Sequence, residues 1–125
     1  MKSNVVREKS FGFALSVIEV YRQCASQREF VLSKQLLRSG TSIGANVEEA
    51  SAAQSRADFI SKMSIASKEA RETVYWLQLL QASQIVNFDF QPLLNDADEL
   101  VRLLTSIVKS TSQTAPVNSK LKTQN

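Results

Sequence analysis

The chain has 125 residues, 43% of them hydrophobic and 22% charged, with only three glycines and two prolines. This length suits a single domain, and this composition is typical of a globular protein built from long helices. Without histidine and with one cysteine, a single chain excludes a disulfide, a Cys/His metal cluster and Ser/His or Cys/His catalysis. No apolar run approaches the roughly 18–20 residues of a membrane span, and no signal-peptide pattern is present, so we expect a soluble, cytoplasmic protein without a membrane partner.

The first predicted helix covers about residues 10–25, with Ser10 as its expected N-cap. Apolar side chains recur there at spacings of three and four residues, which predicts one buried stripe. The stripe predicted to face the core consists of Phe11, Ala14, Ile18, Tyr21 and Ala25, with Leu15 and Val17 widening it.

The second predicted helix contains two glycines, Gly40 and Gly44, each of which costs about 1 kcal/mol relative to alanine inside a helix. Propensity therefore favours a break, but the apolar spacing keeps its phase from Leu36 to Ala50 across both glycines. We predict one continuous helix whose glycines form a flat notch for a neighbouring backbone.

The third predicted helix follows Ser55, an expected N-cap, and has a sustained apolar seam from Phe59 to Leu80. Opposite charges four residues apart, Asp58–Lys62 and Lys68–Glu72, are expected to pair along it. A second apolar flank is predicted to form an oligomer interface, since a lone bundle would leave it partly exposed. Its members are Ile65, Trp76 and Leu79.

The fourth predicted helix begins near Asp89, places Pro92 in its first turn and continues to about residue 110. Residues 111–125 are polar and lack apolar periodicity, which predicts a disordered tail after a domain of residues 1–110. Four amphipathic helices with short connections and no strand signal predict an all-α fold, an antiparallel up-down-up-down four-helix bundle.

Basic side chains are concentrated in residues 1–71, which carry 11 Lys and Arg against 7 Asp and Glu. Such an excess permits anionic partners, although a solvated charged surface explains it as well. The candidate phosphate contacts are Lys34, Arg38, Lys62, Lys68 and Arg71. Carboxylates also recur, and a metal-dependent enzyme using Glu49 and Glu69 is one interpretation, but hydrogen bonding to neighbouring helices is favoured over it.

Residues 34–80 resemble a known family, the four-helix bundle proteins encoded within intervening sequences of bacterial 23S ribosomal RNA genes. The similarity extends over about residues 8–110. The residues that carry the family pattern are Ser42, Ile43, Asn46, Glu49, Ser55, Asp58, Phe59, Ile65, Ala66 and Glu69.

This resemblance implies a homopentameric ring, and it extends to the similar accessory protein of diversity-generating retroelements, which binds RNA together with a reverse transcriptase. The leading hypothesis is therefore a non-enzymatic homo-oligomer, expected to be a pentamer without a cofactor, whose repeated basic residues bind RNA or another nucleic acid. The alternative is a protein-interaction scaffold whose basic residues only keep the surface solvated.

Overall fold

The computed structural model describes the backbone of residues 2–123 and the side chains of residues 5–113. Within that part of the chain there are four α-helices and no strand. The helices are α1 (Lys2–Ser26), α2 (Val31–Ser51), α3 (Arg56–Ser83) and α4 (Gln91–Thr123). None of the described helices is long and apolar enough to cross a membrane.

Each helix packs against the helices next to it in the chain, and α1 also packs against α4. The interface between α1 and α4 is the smallest of the four. Arg7 of α1 pairs with Glu48 of α2, whereas Val17 meets Gly40, so the two helices run in opposite directions. The other three pairs of neighbouring helices are antiparallel for the same reason. The contacts are Glu49–Lys62 and Arg38–Glu72 between α2 and α3, and Arg71–Thr105 and Gln81–Gln91 between α3 and α4. Lys9–Glu99 joins α1 to α4, and Gln27–Asn87 joins the far end of α1 to the connection that precedes α4. The predicted antiparallel four-helix bundle is confirmed.

The core is formed by one apolar stripe from each helix, and the predicted seam of α3 is confirmed by burial of Met63, Ala66, Ala70, Leu77 and Leu80. The apolar residues predicted from Leu36 to Ala50 of α2 are also buried, α4 buries one apolar stripe, and Phe90 of the last connection closes one end of the core. The buried core members of these two helices are Leu36, Ile43, Val47, Ala50, Leu93, Leu94, Ala97, Leu100, Leu104 and Ile107.

The stripe predicted for α1 is wrong. Phe11 is 67% exposed and Ile18 is 38% exposed, whereas the stripe that starts at Val6 is buried. The residues of α1 that face the core are Val6, Ser10, Phe13, Val17, Val20 and Cys24. The helix also begins at Lys2 rather than near Ser10, whose hydroxyl lies inside the helix and donates to the carbonyl of Arg7.

Helix α2 is continuous across both of its glycines, as predicted. Gly40 is buried against the side chain of Val17, and a β-carbon at Gly44 would lie 3.3 Å from the backbone carbonyl oxygen of Ser10. The glycines therefore form the predicted notch, and α1 is the helix that occupies it.

The starts of α3 and α4 follow the expected chemistry of helix N-termini. The Ser55 hydroxyl accepts from the backbone N–H of Asp58, which confirms it as the N-cap of α3. Pro92 lies in the first turn of α4, where no intrahelical donor is needed. The backbone of α4 continues to Thr123, past the predicted end near Ser110. The side chains beyond residue 113 lie outside the described residues. The disordered tail of residues 111–125 stays a prediction.

Candidate nucleic-acid interface

Two of the five predicted phosphate-binding residues take part in ion pairs between α2 and α3. Arg38 donates to Glu72 and, at 3.4 Å, to Glu69, while Lys62 Nζ lies 2.9 Å from Glu49. The hydrogen bond to Glu49 and its negative charge raise the pKa of Lys62. The predicted pairs Asp58–Lys62 and Lys68–Glu72 are not formed as ion pairs, because Lys62 pairs with Glu49 of α2 and Glu72 pairs with Arg38 of α2.

The other three predicted residues are oriented differently. Lys34 and Lys68 are exposed and form no ion pair within the described part of the chain. Arg71 reaches across to α4, where its Nη2 donates to Thr105 Oγ1 at 3.0 Å. The structure therefore leaves Lys34 near the start of α2 and turns Arg71 towards α4, with the exposed Lys68 one turn before it on α3.

Helix α4 adds two cations to this side of the bundle. Arg102 and Lys109 lie one turn before and one turn after Thr105, so they share its face of the helix. Neither pairs with a carboxylate among residues 5–113. We call Lys68, Arg71, Arg102 and Lys109 the α3–α4 basic face.

Sequence reasoning missed Arg102 and Lys109 because residues 72–125 carry only four Lys and Arg against five Asp and Glu. The positive and negative charges of residues 72–125 nearly cancel, and this total conceals the basic residues that lie on one face of α4. The signal that could have found the two residues is their separation of seven positions, which places them on the same face of a helix.

The family-pattern residues hold α2 and α3 in place. Asn46 Nδ2 donates to the Ser42 backbone carbonyl at 2.9 Å and to its hydroxyl at 3.1 Å, and Ile43 is completely buried. Phe59 packs half-buried against the core, and Glu49 and Glu69 form the ion pairs described above. Glu49 and Glu69 therefore join α2 to α3, whereas the Asn46–Ser42 hydrogen bonds lie within α2.

The same ion pairs bear on the metal-dependent alternative. Glu49 of α2 pairs with Lys62 of α3, and Glu69 of α3 pairs with Arg38 of α2. Glu69 follows Lys62 by seven residues, which separates the two ion pairs by about 10 Å along the axis of α3. No group of three or more His, Cys, Asp or Glu side chains that could hold a metal occurs among the described residues. The structure therefore does not bring these two carboxylates into one ligand set.

Apolar side chains are exposed on two helices. On α3, Ile65 is 37% exposed, and Trp76 and Leu79 are half-buried, with the Trp76 indole donating to Glu72 at 2.9 Å. On α1, Phe11, Leu15 and Ile18 are 67%, 55% and 38% exposed, and we call these three residues the α1 flank. Sequence reasoning had assigned Phe11 and Ile18 to the core, so it missed this surface.

The sequence and the fold of this chain both match known proteins. Residues 2–106 match the family model of the 23S rRNA-intervening sequence protein, and the chain belongs to that family. It is similar to a crystal structure at 1.70 Å of a protein of unknown function from the S23 ribosomal protein family of Bacteroides thetaiotaomicron VPI-5482. The two chains are 52% identical with a TM-score of 0.83, and the match covers 87% of this chain and 99% of the other. Among proteins with curated descriptions, none matches this chain.

Proposed function

We propose that this protein is a non-enzymatic, cytoplasmic homo-oligomer that binds RNA through the α3–α4 basic face. The observation that carries the proposal is that four cations on this face have no carboxylate partner among residues 5–113, whereas Arg38 and Lys62 do. The family's link to 23S rRNA-intervening sequences supports RNA as the partner. The resemblance to the RNA-binding accessory protein of diversity-generating retroelements points the same way.

Unpaired cations matter because each phosphate that they neutralise releases condensed counterions, which is the main source of affinity for nucleic acid. A cation already paired with a carboxylate must give up that partner first. Four free cations give a monomer weak binding, and copies arranged around an oligomer raise the avidity by presenting the face repeatedly.

The oligomer is proposed to form through exposed apolar surface. The α1 flank and the α3 residues Ile65, Trp76 and Leu79 are exposed or only half-buried in the isolated bundle. Covering such surface with another copy stabilises the assembly by about 25 cal/mol for each Å² of apolar area removed from water. The number of copies, five, comes from the resemblance to pentameric ring proteins.

Two measurements test this function. Fluorescence anisotropy with a structured RNA at two salt concentrations should show micromolar or tighter binding that weakens as salt rises. Light scattering should give a mass near five chains. Absence of RNA binding at micromolar protein and physiological salt contradicts the binding role, and a monomeric mass contradicts the assembly.

A second candidate, a protein-interaction scaffold, is favoured by a different surface. Phe30, Val31, Ile85 and Phe88 are 46%, 75%, 56% and 37% exposed, and all lie in or next to the α1–α2 and α3–α4 connections. Reciprocal hydrogen bonds tie these connections together, because the Gln27 side chain donates to the Asn87 carbonyl at 2.9 Å and accepts from its N–H at 2.7 Å. Contiguous exposed apolar surface of this kind marks protein interaction sites.

The scaffold predicts capture of a protein partner that survives Lys34→Ala plus Arg38→Ala but fails in Val31→Ser plus Ile85→Ser. Both replaced apolar residues are more than half exposed, so the bundle should tolerate their loss. The opposite pattern, in which the basic substitutions abolish capture and the apolar ones do not, would exclude the scaffold in favour of electrostatic binding.

A further inference from the structure

A groove of about 240 Å³ lies within the α3–α4 basic face. The residues that line it are Ser64, Ser67, Arg71, Thr105, Val108 and Lys109. They supply two cations, three hydroxyls and no carboxylate, so the groove presents hydrogen-bond donors under a positive potential.

The Arg71 guanidinium is held in place at this groove. It donates one N–H to Thr105 Oγ1 at 3.0 Å, which leaves its other donors for a ligand. The hydroxyls of Ser64 and Ser67 have no hydrogen-bond partner among the described residues, although Ser67 is only 9% exposed. Because Thr105 already orients the Arg71 guanidinium, that side chain loses little conformational freedom when a ligand binds.

Negative charge is kept away from the groove. The nearest carboxylate on the same stripe of α4 is Asp98, seven residues before Thr105 and about 10 Å away along the axis, which is about one Debye length at physiological salt. On α3, Glu69 and Glu72 are turned towards Arg38 of α2. A ligand in the groove therefore meets the Arg71 and Lys109 charges with little compensation from the protein.

We propose that this groove binds one phosphate group of an RNA backbone, with Arg71 and Lys109 as its charged contacts and the Ser64 and Ser67 hydroxyls as further donors. The inference rests on the proposed RNA binding and specifies the subsite at which it occurs. Flanking phosphates of the same strand are met by Lys68 and Arg102, which extend the positive surface beyond the groove.

The chemistry of the groove fits a phosphate group better than a whole small molecule. Ligand pockets for drug-sized molecules measure about 300–1,000 Å³, and this groove is smaller. A phosphate offers only acceptor oxygens, and the planar guanidinium matches two of them at once. Neutralising one phosphate contributes about 0.9 to the slope of log affinity against log salt.

The test compares two doubly substituted chains that lose the same charge. The groove variant is Arg71→Gln plus Lys109→Gln. The matched control is Arg28→Gln plus Lys34→Gln, which removes two exposed cations near the opposite end of the bundle. The groove variant should bind a structured RNA about 10- to 100-fold more weakly than wild type, as loss of charge-assisted hydrogen bonds implies. Its plot of log affinity against log salt should be shallower by about one, and the control should change both readouts much less.

A third variant tests the positioning of Arg71. Thr105→Val removes the hydroxyl that holds the guanidinium without changing charge, so it should weaken RNA binding about threefold to tenfold while leaving the salt slope unchanged. Thr105→Ser should restore binding. Unchanged circular dichroism and melting temperature for every variant ensure that the comparison concerns folded protein.

Failure of the inference is distinguishable from failure of the proposed function. Wild type that does not bind RNA overturns both. Wild type that binds RNA, with groove and control variants equally weakened or equally unaffected, overturns the groove and leaves the function standing. Inorganic phosphate serves as a competitor; if it displaces RNA at micromolar concentration, the groove is a site for free phosphate and not for an RNA strand.

Discussion

Gly40 of α2 lies so close to Val17 of α1 that a β-carbon at position 40 would be 2.8 Å from Val17 Cγ2 and 3.0 Å from Cγ1. Both residues are buried, and the β-branched valine is stiff about its first side-chain torsion. The absence of a side chain at Gly40 therefore sets how closely the first two helices can approach.

The first prediction concerns this contact. Gly40→Ala should destabilise the protein by about 1 kcal/mol, because an overpacking cost of about 1–3 kcal/mol exceeds the gain of about 1 kcal/mol in helix propensity. Denaturation by urea, followed by circular dichroism, measures the change. Gly12→Ala is the matched control, since nothing lies within 4 Å of its added β-carbon, and it should stabilise α1 by about 0.5–1 kcal/mol.

Adding Val17→Ala to Gly40→Ala should cost less than the sum of the two single changes, because the smaller side chain makes room for the new methyl group. If Gly40→Ala were as stabilising as Gly12→Ala, the close approach of α1 and α2 would be contradicted.

The second prediction concerns the start of α2, where Glu29 takes the place of a side-chain cap. Its carboxylate accepts from the backbone N–H groups of Val31 at 3.0 Å, Leu32 at 2.9 Å and Ser33 at 2.8 Å. Burial raises the pKa of the Glu29 carboxyl. These hydrogen bonds, together with one from the Ser33 side chain, lower the pKa by more than burial raises it, so the net pKa lies below its ordinary value.

Because the folded pKa is below the unfolded value of about 4.3, the stabilisation by Glu29 is complete above that pH and is lost as pH falls through the folded pKa. Glu29→Gln should therefore cost about 1 kcal/mol at pH 7 and less at pH 3. Urea denaturation at both pH values measures this. Glu8→Gln, at an exposed position of α1, is the control; an equal effect of the two substitutions at pH 7 would exclude the capping role.

The third prediction concerns Cys24, which is completely buried in the core. Burial, with a smaller contribution from the charge of Glu29, raises the pKa of its thiol to about 11. At pH 8 the thiolate fraction is then roughly 200-fold below that of an unperturbed cysteine, so the folded protein should react very slowly with iodoacetamide. Mass spectrometry should show rapid modification in 8 M urea. A comparable rate without urea would contradict the burial of Cys24.

The fourth prediction concerns Arg38, whose ion pairs join α2 to α3. Arg38→Ala should destabilise the protein by about 0.5–1 kcal/mol, a modest value because its side chain is half exposed to water. Lys34→Ala, one turn earlier on the same helix and without an ion pair among the described residues, should change stability by less than about 0.5 kcal/mol. A double-mutant cycle with Glu72→Ala isolates the pair, and a coupling energy of zero would contradict its contribution.

Helix α1 shows where sequence reasoning stops. Its sequence carries two stripes at helical spacing, and the one with the larger side chains, including Phe11 and Ile18, was predicted to face the core. The buried stripe includes the small residues Ser10 and Cys24. A single helix contains nothing that selects between two such stripes; the choice depends on which one fits the notch at Gly40 and Gly44 of α2.

The candidate site shows the same limit for charges. Sequence spacing paired cations with carboxylates of their own helix. In the folded chain Arg38 and Lys62 pair across the α2–α3 boundary, while Arg71 turns to Thr105 of α4. Which cations stay free depends on side chains from other helices, and those distances are absent from any local pattern.

By itself, the sequence determined the number of helices, the continuity of α2 through its glycines, the N-cap at Ser55 and the place of Pro92 in the first turn of α4. Periodicity and capping chemistry act within a few neighbouring residues, which is why the sequence suffices for these features. Only the tertiary structure decided which stripe of α1 is buried and which cations are neutralised. It also brought Arg71, Thr105 and Lys109 into one groove. These outcomes depend on contacts between residues distant in the chain, which form only when the four helices pack together.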